Sequence, residues 1–147
     1  MKNKLTLFLG LILLTTFNFA CNVSEAKTEK PTGAKSQFAT KRIDSYSRLG
    51  IEFVYYKIPT GLSREELIEV AQKLHQAEPK AQLILVDDDS RVNEYIEFAK
   101  LINLGHNDAK MPKEWADKHI IANVQRYLSG KFMLCEGYGS KEIAELK

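Results

Sequence analysis

The sequence predicts a small α/β protein, with α+β as the alternative class, built on a mixed sheet of four strands. Short β-branched and aromatic runs alternate with amphipathic helical stripes, in the order β-α-β-α-β-β-α. Two strands joined through a helix are expected to lie parallel with a right-handed crossover. The last two runs are separated by a tight turn and are therefore expected to form an antiparallel hairpin. Helices packed on the sheet would complete the fold.

The first strand and the first helix have the clearest local signals. Residues 51–58 form a β-branched and aromatic run, which predicts a strand. Ser63 and Glu66 have the spacing of a capping box at the start of the helix that follows. Pro79 is expected to end that helix, because proline cannot donate the next backbone hydrogen bond.

The second strand and the second helix follow in the same order. Residues 81–86 are almost continuously apolar, as in a strand buried on both faces. The next helix presents one apolar stripe and is expected to end at Gly105. The stripe consists of Val92, Tyr95, Ile96, Ala99 and Ile102.

The last part of the chain predicts a hairpin and a short helix. Residues 119–128 alternate between apolar and polar side chains, and residues 131–136 return after a turn at Ser129 and Gly130. Ser140 is placed to cap a final helix. The alternation places one set of apolar side chains on a common face of the third strand, namely Ile120, Ala122 and Val124.

This element order resembles the thioredoxin fold at the level of topology only. The two redox cysteines of that family would lie at the start of the first helix, where residues 60–65 contain no cysteine. The family's cis-proline before the third strand is also missing, because Pro112 lies seven residues before His119. The resemblance therefore implies a fold and no disulfide chemistry, since function depends on the site.

The first 20 residues predict a secretory signal. Lys2 and Lys4 precede an apolar run at residues 5–14, and Ala20 is a small residue before a cleavage point. The run is shorter than the ~20 apolar residues that a membrane-spanning helix needs. With Ala20 followed by Cys21, the segment resembles a bacterial lipoprotein precursor.

The lipoprotein resemblance implies that the signal peptide, residues 1–20, is removed and that Cys21 becomes an N-terminus acylated with palmitate and related chains. Because Asn22 is not the aspartate associated with inner-membrane retention, it also implies an outer-membrane protein facing the periplasm. Two alternatives stay open. Cleavage after Ala26 would give a soluble periplasmic or secreted protein, and an uncleaved segment would act as an anchor.

The remaining chain is predicted to comprise a lipid-anchored flexible tether at residues 21–48 and a single α/β domain at residues 49–147, because the first stretch has few large apolar residues. Residues 22–50 hold six basic and three acidic residues, whereas residues 51–147 hold thirteen basic and sixteen acidic ones. The mildly acidic domain argues against a nucleic-acid binder. No cofactor is expected.

Two polar clusters are candidate sites. Asp87, Asp88 and Asp89 follow a predicted parallel strand, where carboxylates can bind Ca²⁺ or Mg²⁺. The alternative is that they cap the next helix and interact with its dipole. Asp117 lies close in sequence to His119 and is a candidate to orient that ring as a general base. The alternative is a structural histidine.

Aromatic and sulfur-containing residues suggest three further roles. Trp115 is expected to cover the edge of the core. Cys135 lies in an apolar run and is interpreted as a buried core thiol, with a functional thiol as the alternative. Tyr55, Tyr56 and Tyr127 are candidates for an aromatic binding surface on the sheet, and core packing is the alternative.

These observations predict a non-catalytic binding or accessory module of the cell envelope, with an immunity, inhibitor or assembly role. Its partners would be the membrane, through the lipid on Cys21, and another envelope protein. The alternative function is a small exported hydrolase that uses Asp117 and His119, with the three aspartates and a metal as added candidates. A thiol-based role for Cys135 is the third hypothesis.

Overall fold

The computed structural model describes residues 38–147. The signal peptide, the acylation site at Cys21 and most of the predicted tether lie outside the described residues. The predictions that fall on them therefore stay predictions. No helix within residues 38–147 has both the length and the apolar character needed to cross a membrane.

Within residues 38–147, six strands form one mixed sheet with three helices, which confirms the α/β class. The strands lie side by side in chain order, from β1 to β6. Strands β2 and β3 are parallel, and all other neighbours are antiparallel. The elements are β1 (Lys41–Arg48), β2 (Ile51–Lys57), α1 (Arg64–Ala77), β3 (Gln82–Val86), α2 (Val92–Asn103), α3 (Lys113–His119), β4 (Ile120–Arg126), β5 (Phe132–Glu136) and β6 (Glu142–Leu146).

The predicted four-stranded sheet is wrong, because both edge strands were missing from it. Strand β1 occupies residues 41–48, which the sequence assigned to the tether, and β6 occupies residues 142–146, where it predicted a helix. Both strands carry charged residues because an edge strand has one side open to solvent. The thioredoxin-like element order is therefore not matched.

The central predictions are confirmed. Strands β2 and β3 pair in parallel through α1, and β4 and β5 form the antiparallel hairpin. The capping box is present: Ser63 Oγ accepts from the Glu66 amide at 3.2 Å, and a Glu66 carboxylate oxygen accepts from the Ser63 amide at 2.8 Å. These two hydrogen bonds between side chains and backbone amides thus define where α1 begins.

Helix α1 packs on one face of the sheet, and α2 and α3 pack on the other. A β-bulge interrupts the pairing of β3 with β4 between Leu85 and Val86. As a result, Ile120 faces α2 and α3, whereas Ala122 and Val124 face α1. The prediction that these three side chains share a face is therefore wrong for Ile120, since a bulge shifts the alternation by one residue.

The two ends of the sheet differ in chemistry. Asp87–Asp89 follow β3 at one end, called here the acidic end, where β4 begins. The opposite end, called here the turn end, holds the β1–β2 turn, the α1–β3 connection, the C-terminus of α2 and the β4–β5 turn. Candidate sites occur at both ends and on the face between them.

Candidate functional site

The three aspartates of the acidic end point to different partners. Asp89 forms ion pairs with Lys57 at 2.7 Å and with Lys41 at 3.4 Å. The Lys57 ammonium beside Asp89 holds the pKa of that carboxyl below its usual range. Asp88 accepts hydrogen bonds from the Ser90 amide at 3.1 Å and the Ser90 hydroxyl at 2.6 Å. These contacts hold the pKa of Asp88 below its usual range as well.

This arrangement shows neither side-chain capping of α2 nor a shared metal site, and the suggested interaction with the helix dipole stays a prediction. Helix α2 begins after Arg91, whose side chain makes no capping hydrogen bond, so the aspartates do not cap α2 through their side chains. Their carboxylates also diverge onto Lys57, Ser90 and His119. In the part of the chain that the structure describes, no group of three His, Cys, Asp or Glu residues is arranged to hold a metal ion.

His119 pairs with Asp87, not with Asp117. Its Nδ1 lies 2.8 Å from an Asp87 carboxylate oxygen, and its Nε2 lies 3.9 Å from Asp88. The Trp115 indole donates to Asp88 at 3.1 Å, and its ring lies 6.1 Å from the imidazole. The acidic end thus brings Asp87 and Asp88 together with Trp115 and His119, whereas the sequence suggested the two groups as separate clusters.

Asp117 lies on another side of α3. It pairs with Lys113 at 2.5 Å and accepts a hydrogen bond from the Tyr138 hydroxyl. The Lys113 ammonium holds the pKa of Asp117 below its usual range. The predicted Asp117–His119 pair is therefore absent, and Asp117 instead anchors the loop that carries Tyr138.

Cys135 lies in the sheet with no exposed surface. Burial raises the pKa of its thiol, and its sulfur is 3.9 Å from the Tyr127 hydroxyl. A reactive cysteine needs a lowered pKa and solvent access. Neither condition holds here, and this favours the core interpretation over a thiol-based role.

A cleft of about 200 Å³ lies on the α2 side of the sheet. Its floor is formed by β2, β3 and β4, and its walls come from β1, from α2 and from the loop after β5. No side chain of the lining carries a formal charge. The lining residues are Tyr46, Phe53, Tyr55, Gln82, Leu83, Ile84, Tyr95, Ala99, Asn123, Val124, Gln125 and Tyr138. This feature is called the tyrosine cleft.

One wall of the tyrosine cleft is a row of packed rings. Tyr46 stacks on Phe53 at 5.0 Å and on Tyr55 at 6.3 Å, and Tyr95 meets Tyr55 edge-on at 6.3 Å. Such contacts fix ring positions as well as burying apolar surface. Burial raises the pKa of Tyr55, and raises that of Tyr95 to about 12. The phenols therefore stay neutral hydrogen-bonding groups at physiological pH.

The opposite wall depends on two amide side chains. Asn123 donates to the carbonyls of Gly137 at 2.8 Å and Gly139 at 3.0 Å. Gln125 also donates to the Gly139 carbonyl, at 2.8 Å. These bonds hold the β5–β6 loop over the sheet, and Tyr138 on that loop lines the cleft.

The predicted aromatic surface is only partly present. Tyr55 lines the cleft, whereas Tyr56 faces α1 and its hydroxyl donates to Glu78 at 3.1 Å. Tyr127 lies outside the lining. Adjacent residues of a strand point to opposite faces, so Tyr55 and Tyr56 cannot share one surface. The alternating direction of side chains along β2 was the sequence signal that places Tyr55 and Tyr56 on opposite faces.

Three tyrosines of the cleft were missed as site residues. Tyr46 lies in the segment predicted to be a tether, and Tyr95 belongs to a helical stripe that was interpreted as core. Tyr138 lies in a loop. Comparison with family models, with curated proteins and with solved structures finds no match to this chain.

Proposed function

We propose that the protein is a non-catalytic binding module whose tyrosine cleft holds one uncharged, ring-sized group with hydroxyl or amide substituents, such as a sugar unit of a glycan. The observation that carries the proposal is the neutral lining: four tyrosines and three amide side chains with no charged residue. An anion would lose its hydration there without gaining an opposite charge.

The size and chemistry of the cleft support this ligand class. Its volume of about 200 Å³ is below the ~300–1,000 Å³ of sites for drug-sized molecules, so it suits a single ring. A sugar ring has an apolar C–H face and a polar rim. Tyrosine rings can cover the face, and phenol groups can both donate to and accept from the rim. The amide oxygen of Asn123, whose N–H groups donate to Gly137 and Gly139, can accept from it.

The first prediction concerns Tyr138, which is 43% exposed and lines the cleft without forming part of the buried core. A trimer of N-acetylglucosamine is the neutral probe, and a trimer of galacturonic acid is the charged control. In amide NMR titrations of the full chain, the neutral trimer is expected to shift the side-chain signals of Asn123 and Gln125. Tyr138→Ala is expected to weaken this binding about fivefold or more.

Matched variants make the test specific. Tyr138→Phe keeps the ring and removes the hydroxyl that donates to Asp117, so it separates the contribution of the ring from the anchoring of the loop. Leu128→Ala alters a fully exposed side chain outside the cleft and is expected to leave binding unchanged. Equal binding of the charged trimer, or no effect of Tyr138→Ala, would contradict the proposal.

We further propose that the module is a lipid-anchored protein of the outer membrane, attached through Cys21. The support is the sequence of residues 1–21 for the lipid anchor and Asn22 for the outer membrane. The intact mass of the protein from its host is expected to match a chain that begins at Cys21 and carries acyl chains. The protein is also expected to partition into the detergent phase. Cys21→Ala should remove both properties. A mass that begins at Lys27 without acyl chains would show a soluble exported protein instead.

Hydrolysis by His119 stays a prediction. In the structure, the carboxylate placed to orient the ring is Asp87 at 2.8 Å and not Asp117. Among residues 38–147, the side-chain partners of His119 are Asp87 and Asp88, with no hydroxyl or thiol nucleophile among them. The geometry therefore favours binding over covalent catalysis.

A further inference from the structure

A second concave surface lies at the turn end and adjoins the tyrosine cleft, with Gln82 in the lining of both. It is a groove of about 530 Å³ between the β1–β2 turn, the α1–β3 connection and the β4–β5 turn. Ile51, Pro79 and Phe132 supply apolar surface to it, and Lys80 and Arg126 supply positive charge. No acidic side chain lines it. It is called the turn-end groove.

Two exposed leucines stand beside the turn-end groove. Leu128 lines it and is fully exposed, and Leu49, which is 89% exposed, directly precedes the lining residues Gly50 and Ile51. Leucine side chains at the tips of two separate turns gain nothing for the fold, because neither is buried. Such a pair at one groove marks an apolar surface available to a partner.

Leu49 also has an unfavourable backbone conformation. Its φ of 50° makes it the one non-glycine residue of the described range with positive φ, and Gly50 follows with φ 78°. A two-residue turn with both φ values positive favours Asn-Gly, because asparagine tolerates this conformation and leucine does not. Leu49 therefore contributes no buried apolar surface and carries backbone strain, and strain of this kind collects at functional sites.

The charges of the turn-end groove indicate which class of ligand it binds. Within residues 38–147, neither Lys80 nor Arg126 forms a salt bridge, whereas many other cations of the domain do. Two such cations around an apolar floor attract a ligand that has both carboxylates and apolar side chains. A peptide segment can enter a concave groove, whereas a flat bilayer cannot. The shape of the surface therefore favours a chain segment over a membrane.

We propose that the turn-end groove docks an extended, acidic segment of a partner protein, with apolar side chains of that segment between Leu49 and Leu128. This interaction is additional to ligand binding in the tyrosine cleft, and neither depends on the other. Lys80 and Arg126 would face carboxylates of the segment. The interaction is therefore expected to weaken as salt concentration rises.

The probe is a fluorescent eight-residue peptide of alternating leucine and glutamate, measured by anisotropy with the full chain. A leucine–lysine peptide of the same length is the charge control. The acidic peptide is expected to bind below about 1 mM and the basic peptide not to bind. Leu49→Asn and Leu128→Ala should each weaken binding about fivefold or more. Lys80→Gln with Arg126→Gln should weaken it and reduce its salt dependence.

Two controls separate docking from unfolding. Leu49→Asn is expected to raise the melting temperature by about 4 °C, because it relieves the strained turn, so its loss of binding cannot come from instability. Leu104→Ala removes another highly exposed leucine outside the groove lining and should change nothing. Absence of acidic-peptide binding at about 1 mM, or equal binding of the basic peptide, overturns the proposal. The proposal is also overturned if Leu49→Asn weakens binding to phosphatidylglycerol vesicles and leaves peptide binding unchanged.

Discussion

Replacing Trp115 with alanine is expected to lower the free energy of unfolding by about 3–5 kcal/mol. The side chain is 5% exposed and belongs to the core between the sheet and helices α2 and α3. Its ring lies 6.2 Å from that of Tyr95, and its indole donates to Asp88 at 3.1 Å. The substitution would leave a cavity between the tyrosine cleft and the acidic end. Denaturant unfolding, followed by circular dichroism, measures the loss.

The matched variant is Trp115→Phe. It retains a ring in the core and removes the indole donor to Asp88, so a smaller loss of about 1 kcal/mol is expected from the hydrogen bond. If alanine and phenylalanine cost the same, packing is not the main contribution of Trp115 and the prediction is wrong. If alanine costs less than ~1 kcal/mol, the site is not closely packed.

The stability of the protein is expected to fall between pH 7 and pH 5 because of His75. This side chain, near the end of α1, is 6% exposed, and its ring lies 4.4 Å from that of Phe132. Its Nδ1 has no hydrogen-bond partner within residues 38–147. Burial lowers the pKa of His75, since the charged ring would lose its hydration.

The direction of the pH effect follows from that lowered pKa. The unfolded chain protonates His75 near pH ~6.5, whereas the folded protein does so at lower pH. The full contribution of neutral His75 to the free energy of unfolding is therefore present above about pH 6.5. Below this it declines by up to about 1.4 kcal/mol per pH unit, until the folded protein is protonated too. Unfolding free energies measured at pH 7, 6 and 5 test this.

His75→Leu is the control for the pH effect. It removes both the titration and the buried nitrogen without a partner, so it should flatten the profile between pH 7 and pH 5 and leave stability at pH 7 equal or higher. The carboxylates with lowered pKa values, such as Asp89 and Glu136, lose their contributions only near and below pH ~4. An unchanged slope in the variant would assign the effect to other groups.

The parts of the fold that the sequence predicted are those with strong local signals. The capping box at Ser63 placed α1, and the apolar run at residues 81–86 identified a central strand. Strands β1 and β6 were missed because an edge strand needs only partial burial. Lys41, Arg42 and Arg48 make β1 resemble a solvated segment. The pairing with β2 that orders it cannot be seen in β1 itself.

The contacts of the candidate site could also be predicted only in part from the sequence. Asp117 and His119 are two residues apart, which suggested a pair, but residues at that spacing on a helix do not face each other. Asp87 and His119 meet because Val86 pairs with Ile120 across neighbouring strands. Such a contact, 32 positions apart, requires knowledge of which strands are adjacent. The tyrosine cleft likewise combines residues from β1, β2, α2 and the β5–β6 loop.

The order of the strands in the sheet has a consequence for how the chain folds. Each strand lies beside the strands that precede and follow it in the chain, from β1 to β6. No strand must be inserted between two that have already paired, and the longest connection, residues 87–119 between β3 and β4, itself contains α2 and α3. Folding rates rise as contacting residues lie closer along the chain. The sheet can therefore grow outward from any hairpin, and assembly is expected to be rapid for a mixed α/β domain.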